Sequence, residues 1–173
     1  MNDSFDFREI THFTAGAVGQ PGQRVFYLQF GDGLEMVTVK LEKQQVRALA
    51  QFLKGVLDDL PNPGGSIPPS PLIEPAQPRW TVGQISVGVD EDAGRVVLVV
   101  EELTETDEDD DEIDDDPILG SDSDAARIQA RIGVAQAAGF VQASEELMTQ
   151  GRPPCRLCGQ PVDPTGHACP RLN

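Results

Sequence analysis

The chain has 173 residues, of which 39% are hydrophobic and 5% are aromatic, and its formal net charge at pH 7 is −16. This length is sufficient for one domain with a substantial core or for two small domains. The net charge disfavours nucleic acid and anionic membrane surfaces as partners, because their phosphate groups repel an acidic protein.

The negative charge is concentrated in one segment. Fourteen of the 29 acidic residues, and no Lys or Arg, lie between Glu101 and Asp124. The rest of the chain has 15 acidic and 13 basic residues and is nearly neutral, with a net charge of −2. We expect a solvated, disordered loop over residues 104–124, because this segment has few apolar side chains to bury. This segment does not fit an EF-hand calcium loop, which needs a glycine at its sixth position, because the segment contains no glycine before Gly120.

The sequence has no recognisable secretory signal or membrane span. The first ten residues, MNDSFDFREI, lack a basic region followed by an apolar stretch. The longest strand-like apolar run, Val96 to Val100, is far shorter than the ~20 residues of a membrane helix. Three cysteines cannot all pair within one chain, so we expect a cytoplasmic protein in a reducing compartment.

Residues 1–60 are expected to form three strands followed by a helix. Apolar residues alternate over 7–18, 24–30 and 34–41, and the turns between these strands contain Pro-Gly and Gly-Asp-Gly. After Glu42 the apolar residues recur at helical spacing until Pro61, which ends the helix. The residues at that spacing are Val46, Leu49, Leu53, Val56, Leu57 and Leu60.

Residues 80–150 repeat this order. Strands are expected at 80–89, 95–103 and 127–132, and a helix at 134–148, with the acidic segment before the third strand. The inner face of this helix is predicted to contain Ala138, Val141, Leu147 and Met148. Residues 61–79, which include seven prolines, are predicted to be a semi-rigid linker.

Two pairs of segments indicate an internal repeat. VTVKLEKQQVRALAQF aligns with IQARIGVAQAAGFVQA and places Gln45 on Gln136, while GQRVFYLQF aligns with AGRVVLVVE and places Arg24 on Arg95. We therefore predict an α+β fold of two similar βββα halves, with an antiparallel sheet and two helices. The halves are expected to join edge to edge or to pack face to face. A C-terminal zinc knuckle over residues 151–173 completes the predicted organisation.

The knuckle prediction depends on four residues near the C-terminus. Cys155 and Cys158 form a C-x-x-C pair, and His167 and Cys169 form an H-x-C pair, with glycines and prolines between the two pairs. Three thiolates and one imidazole complete the tetrahedral shell of a structural zinc ion and leave no position for water or substrate. A thioredoxin-like redox pair is disfavoured, because Pro153-Pro154 precede the motif where a strand and helix start are needed. Free thiols are the remaining alternative.

No catalytic or cofactor-binding residues are predicted, because no phosphate-binding, dinucleotide-binding or metalloprotease motif is present. Outside the knuckle the only histidine is His12. We expect it to be an ordinary strand residue. The glycine-rich bend over Gly16–Arg24 has backbone amides that suit an anion, although a hairpin turn is the favoured interpretation.

Three features resemble a known group of proteins: the segments FREITHFTAGAVGQPGQRVFYLQ and GRPPCRLCGQPVDPTGHACPRLN, and the repeated strand–helix pattern. The group is a bacterial family, found chiefly in actinobacteria, that is classified as a domain of unknown function and also as a repeat protein. The resemblance covers essentially the whole chain and implies no reaction. It also implies gene neighbours that encode histidine-phosphatase-like and kinase-like proteins.

The sequence thus favours a non-catalytic cytoplasmic binding or adaptor module, stabilised by zinc, with a protein partner or a small phosphorylated ligand. The alternative is an enzyme that acts on phosphorylated small molecules. In that alternative the bend over Gly16–Arg24 holds the phosphate, and His12 is the acid or base.

Overall fold

The computed structural model describes residues 3–60, 64–104, 125–163 and 165–172. Positions 105–124, which make up nearly all of the expected acidic loop, lie outside the described residues. In chain order, the helices and strands are β1 (Phe5–Phe7), β2 (His12–Val18), β3 (Val25–Gly31), β4 (Met36–Leu41), α1 (Lys43–Asp58), β5 (Val82–Asp90), β6 (Arg95–Glu102), β7 (Arg127–Gly133) and α2 (Val134–Thr149).

These elements form a mixed α+β fold with two sheets and two helices. Strands β2, β3 and β4 form an antiparallel sheet in that order and lead into α1; we call these four elements the first unit. Strands β5, β6 and β7 are also antiparallel and lead into α2; they form the second unit. The strands are thus divided between two sheets, so the edge-to-edge alternative, a single antiparallel sheet, is wrong.

Each sheet receives a parallel segment from the part of the chain that precedes the other unit. Strand β1 pairs with β7 in parallel, so the strand expected at 7–18 is interrupted and its first part belongs to the other sheet. Thr81 pairs in parallel with Lys40 of β4. Two backbone hydrogen bonds flank that bridge, from Arg79 N to Thr38 O at 2.8 Å and from Lys40 N to Trp80 O at 3.0 Å. The short segments therefore connect the two units.

The inner faces of both sheets and both helices enclose one hydrophobic core. Leu28 and Leu98, at the centres of β3 and β6, have no exposed surface. Aromatic rings link the layers: Phe13 lies 4.4 Å from Phe140 of α2 and 5.4 Å from Phe30, measured between ring centroids. Contacts of this kind contribute more than burial alone, because offset rings attract one another.

Both helices begin directly after a strand and bury one stripe. In α1 the buried residues include Val46, Leu49 and Leu53, as the sequence predicts. The inner face predicted for α2 is only partly right. Ala138, Leu147 and Met148 are partly buried, whereas the fully buried stripe consists of Ala137, Gly139, Phe140, Val141 and Ser144. The small residues that escaped the prediction are buried because the linker and α1 pack closely on this helix.

The proline-rich linker has no helix or strand between Gly64 and Pro78, and it packs on α2 and on the sheet of the first unit. The Ile67 N–H donates to the Ala135 carbonyl of α2 at 2.9 Å. Farther along, the buried side chain of Gln29 binds both backbone groups of Ile73: its Nε2 donates to the Ile73 oxygen at 2.8 Å, and its Oε1 accepts from the Ile73 nitrogen at 2.9 Å. The linker therefore covers the outer face of the three-stranded sheet.

Within the described residues, neither helix is long and apolar enough to cross a membrane.

Candidate metal centre

The C-terminal tail folds back on itself around its first cysteine pair. Cys155 N donates to the Gln160 carbonyl at 2.7 Å, and Gly159 N donates to the Cys155 carbonyl at 2.9 Å. Gly159 has a φ of +72°, which a residue with a side chain rarely adopts, so this glycine permits the tight turn. The turn directs the sulfurs of Cys155 and Cys158 to the same side.

The structure brings together the four residues that the sequence singles out: Cys155, Cys158, His167 and Cys169. Their ligand atoms all lie within 4.8 Å of one another. The two sulfurs of Cys155 and Cys169 are 3.9 Å apart, and the Cys158 sulfur is 3.3 Å from His167 Nε2. A tetrahedron with metal–sulfur bonds of about 2.3 Å has edges of about 3.8 Å, so this cluster is able to hold one metal ion.

No disulfide joins the cysteines of this cluster. The 3.9 Å between the Cys155 and Cys169 sulfurs is far longer than the bond of about 2.0 Å in a disulfide, and all three cysteines are free thiols. Cys169 is buried and the other two are half-buried, which limits access by an oxidant.

The environment shifts the pKa values of two thiols of the cluster in opposite directions. Backbone N–H groups of Cys158 and, second, Leu157 lower the pKa of Cys155; Leu157 N is 3.4 Å from its sulfur. At Cys158 the Gln160 N–H lowers the pKa, but burial and the neighbouring thiols outweigh it, and the pKa is raised. A metal ion deprotonates coordinating thiols outright, so metal binding at this cluster releases protons.

A polar contact within the tail fixes the knuckle close to the first unit. Arg152 donates to the carboxylate of Asp163 at 2.7 Å. Both side chains lie near Gly22, and each has an atom 3.4 Å from the position that a Cβ on this glycine would take. Arg156 and Arg171, the other two arginines near the knuckle, are exposed.

The structure does not bring together the residues of the alternative enzymatic site. His12 is buried at the start of β2, where its Nε2 lies 3.2 Å from Gln29 Oε1. The bend beyond Gly19 follows the other end of that strand, about 20 Å away at 3.3 Å per residue. Gly16 is not part of the bend, because it lies within β2 beneath Leu72.

Two surface features are not predicted by the sequence. One is a cleft of about 220 Å3 between the bend, the start of α1 and the end of α2, which is lined by Arg24, Lys43 and Arg152. The other is an apolar groove of about 540 Å3 between α1 and β5. Neither has a local sequence signal, because each consists of residues that are distant in the chain.

Comparison with known proteins gives a family and no individual relative. No curated protein and no solved structure is significantly similar to the chain. A family model matches residues 5–169, a range that includes every helix and strand described above and all four residues of the metal centre. The chain therefore belongs to the family described as "Protein of unknown function (DUF3090)".

Proposed function

We propose that the chain is a non-catalytic binding or adaptor module of the cytoplasm, in which a structural zinc ion is held by Cys155, Cys158, His167 and Cys169. One observation carries the proposal: four protein ligand atoms, three sulfurs and one nitrogen, lie within 4.8 Å of one another. Such a shell is complete, so the metal has no open position for a reactant.

The position of the cluster supports a structural role. The tail from residue 151 onward contains no helix or strand of more than an isolated bridge, and Cys169 is its single buried hydrophobic residue among those described. A segment with so little core does not order itself, and bound zinc contributes folding free energy directly. The zinc in this proposal stabilises the tail against the first unit.

Internal duplication is the second part of the proposal, and equivalent hydrogen bonds support it. Gln45, the third residue of α1, accepts from Glu42 N at 2.8 Å and donates to the Val82 carbonyl at the start of β5 at 3.2 Å. Gln136, the third residue of α2, accepts from Gly133 N at 2.9 Å and donates to the Ile10 carbonyl before β2 at 2.9 Å. Each glutamine thus caps its own helix and binds the other unit.

Strand registers support the same correspondence. Leu28 lies opposite Val39 in the first unit, and Leu98 lies opposite Ala130 in the second. The alignment of Val37 with Ile128 places Val39 on Ala130, so Leu28 corresponds to Leu98. By the same register Phe26 corresponds to Val96, which is one residue away from the sequence alignment of Arg24 with Arg95. A shift of one residue in the alignment would reverse the faces of the strand. The burial of both Leu28 and Leu98 therefore supports the register correspondence over the alignment of Arg24 with Arg95.

The cytoplasmic location and the partner class follow from the chemistry of the chain. Reduced thiolates, which the zinc site requires, persist in a reducing compartment. The net charge of −16 disfavours nucleic acid and anionic membranes, which leaves proteins and small molecules as partners.

The metal is tested by elemental analysis of the purified full chain. We expect about one zinc ion per chain, lost in Cys158→Ser and in Cys169→Ser. His12→Gln is the matched control, because it removes the other histidine and leaves the four ligands intact. Chelation should expose residues 151–172 to protease while the two units still unfold cooperatively.

Two results would contradict the zinc assignment. The first is a native chain without stoichiometric metal. The second is a cobalt-substituted protein whose absorption spectrum changes on addition of small anions, since that response requires an exchangeable ligand.

A second candidate function, binding of a phosphorylated small molecule, is favoured by the cleft that contains Arg24, Lys43 and Arg152. Guanidinium and ammonium groups that converge on one space suit a phosphate. Thermal-shift measurements with nucleotides and sugar phosphates test it: stabilisation that disappears in Arg24→Ala and persists in Arg47→Ala supports this candidate. The absence of any shift contradicts it.

A further inference from the structure

An open groove lies between helix α1 and strand β5, which is an edge strand of the four-stranded sheet. Helix α1 contributes Ala48, Leu49 and Phe52 to its wall, and Phe52 is 55% exposed. Ile85 and Val87 of β5 form the opposite wall. In the described part of the chain, no strand pairs with the outer edge of β5. The Gln45 side chain binds the Val82 and Gly83 carbonyls at its start, and the edge beyond Gly83 is available to a further extended segment.

The corresponding place lies between α2 and β2, and it is occupied on its helix side. By the alignment of Gln45 with Gln136, Ala48 of α1 corresponds to Gly139 of α2. The Ile67 carbonyl of the linker lies where a Cβ on Gly139 would stand, and Gly139 is buried. Ala48, in contrast, is exposed. The linker thus passes over α2 at the position that is open on α1.

The strand side shows the same contrast. Registers place Gly16 of β2 opposite Tyr27 and Gly88 of β5 opposite Val97, and these two glycines correspond. Atoms of Leu72 approach to 2.8 Å from the position that a Cβ on Gly16 would take. At Gly88 nothing lies within 4 Å of that position. The linker therefore covers the outer face of β2 at Gly16, and among the described residues nothing covers the equivalent point of β5.

The lining indicates the chemistry of an occupant. All the residues that line the groove are uncharged, so an apolar peptide that binds there buries no unpaired charge. At its Gly83 end the groove adjoins a cleft lined by Glu101 and Glu102, at the start of the segment with fourteen acidic residues. A basic residue at that end of the occupant would be attracted electrostatically.

We propose that the groove between α1 and β5 binds an extended segment of a partner protein, in which prolines flank aliphatic residues and a basic residue lies at one end. The linker segment Ser66–Ile73, with the sequence SIPPSPLI, shows how such a segment sits on the equivalent surface. Proline fits because it favours the extended backbone and reduces the entropy lost on binding. The inference rests on the proposed binding function and specifies its partner.

The test uses the full chain and two synthetic peptides with the sequence of residues 64–76, one extended by two lysines at its N-terminus and the other at its C-terminus. Binding is measured by fluorescence anisotropy. We expect one of the two to bind saturably, and Ala48→Glu to weaken it at least about tenfold, because a charge then enters the apolar groove. Gln51→Glu is the matched control, since it adds the same charge to an exposed position of α1 outside the groove; it should change affinity less than about twofold.

Any of three results with the peptides would overturn the proposal. They are no binding of either peptide, binding that Ala48→Glu leaves unchanged, and equal binding of a peptide in which serine replaces the residues equivalent to Ile67, Leu72 and Ile73. A wild-type dimer that Ala48→Glu dissociates, without peptide binding, would assign the groove to a second copy and also overturn it. Metal content of the same samples separates the two proposals: zinc-loaded chain without peptide binding contradicts the groove and leaves the zinc proposal intact.

Discussion

The inner surfaces of the two units are alike, but their outer surfaces differ in what covers them. Leu28 and Leu98 are equally buried at the centres of the two middle strands. On the outer face of the first unit, the linker buries a polar chain in which Gln29 connects His12, Thr38 and the Ile73 backbone. Among the described residues, the outer face and edge of the second unit have no such cover.

The two outer faces differ in whether they contain a buried polar group that needs the linker as its partner. In the first unit Gln29 is 1% exposed, and its amide is satisfied by the backbone of the linker. A buried amide without partners would be strongly unfavourable, so this face depends on the linker. The second unit has Val99 at the register position equivalent to Gln29, which needs no polar partner. The outer face of the first unit therefore depends on the linker, whereas Val99 gives the outer face of the second unit no such dependence.

The largest expected effect concerns the shared inner surface. We expect Leu28→Ala and Leu98→Ala each to lower the free energy of unfolding by about 2–5 kcal/mol, because both side chains are fully buried in the same core. The two losses should agree within about 1 kcal/mol if the units correspond. Chemical denaturation measures both. A difference of more than about 2 kcal/mol would contradict the correspondence.

A glycine substitution separates the covered helix from the open one. Gly139→Ala should lower the free energy of unfolding by about 1–3 kcal/mol, because the new Cβ displaces the Ile67 carbonyl. Gly55→Ala in α1 is the control. Nothing lies within 4 Å of its Cβ position, so helix propensity should raise stability by up to about 1 kcal/mol. Thermal unfolding that shows a gain in both variants would mean that the linker is not held against α2.

The smallest expected effect concerns the paired glutamines. Gln45→Ala and Gln136→Ala should each cost about 1 kcal/mol, because each removes a helix cap and a hydrogen bond to the other unit. The measurement is again denaturant unfolding, with the exposed Gln51→Ala as a variant that should be nearly neutral. A neutral result at one glutamine alone would show that the two junctions are not equivalent.

Much of the fold is predictable from the sequence because it depends on local periodicity. The helix from Lys43 and the alternation of Phe26, Leu28 and Phe30 follow from the spacing of apolar residues. The break of the first strand before His12 does not, because it depends on β1 pairing with β7 more than 100 residues away. The burial of Gly139 escaped prediction for a similar reason: the linker covers it, and no pattern within α2 indicates that.

The candidate site, like the fold, has some features that follow from local sequence and others that depend on tertiary contacts. Sequence alone determined most of the order of strands and helices, the concentration of charge in one segment and the four Cys and His residues whose cluster could hold a metal ion, because spacing along the chain encodes periodicity, charge and a local set of ligand atoms. Tertiary structure decided that the strands form two sheets, that the linker covers one of them and that a groove beside α1 stays open. Those features depend on contacts between distant residues, which depend on how whole surfaces fit together.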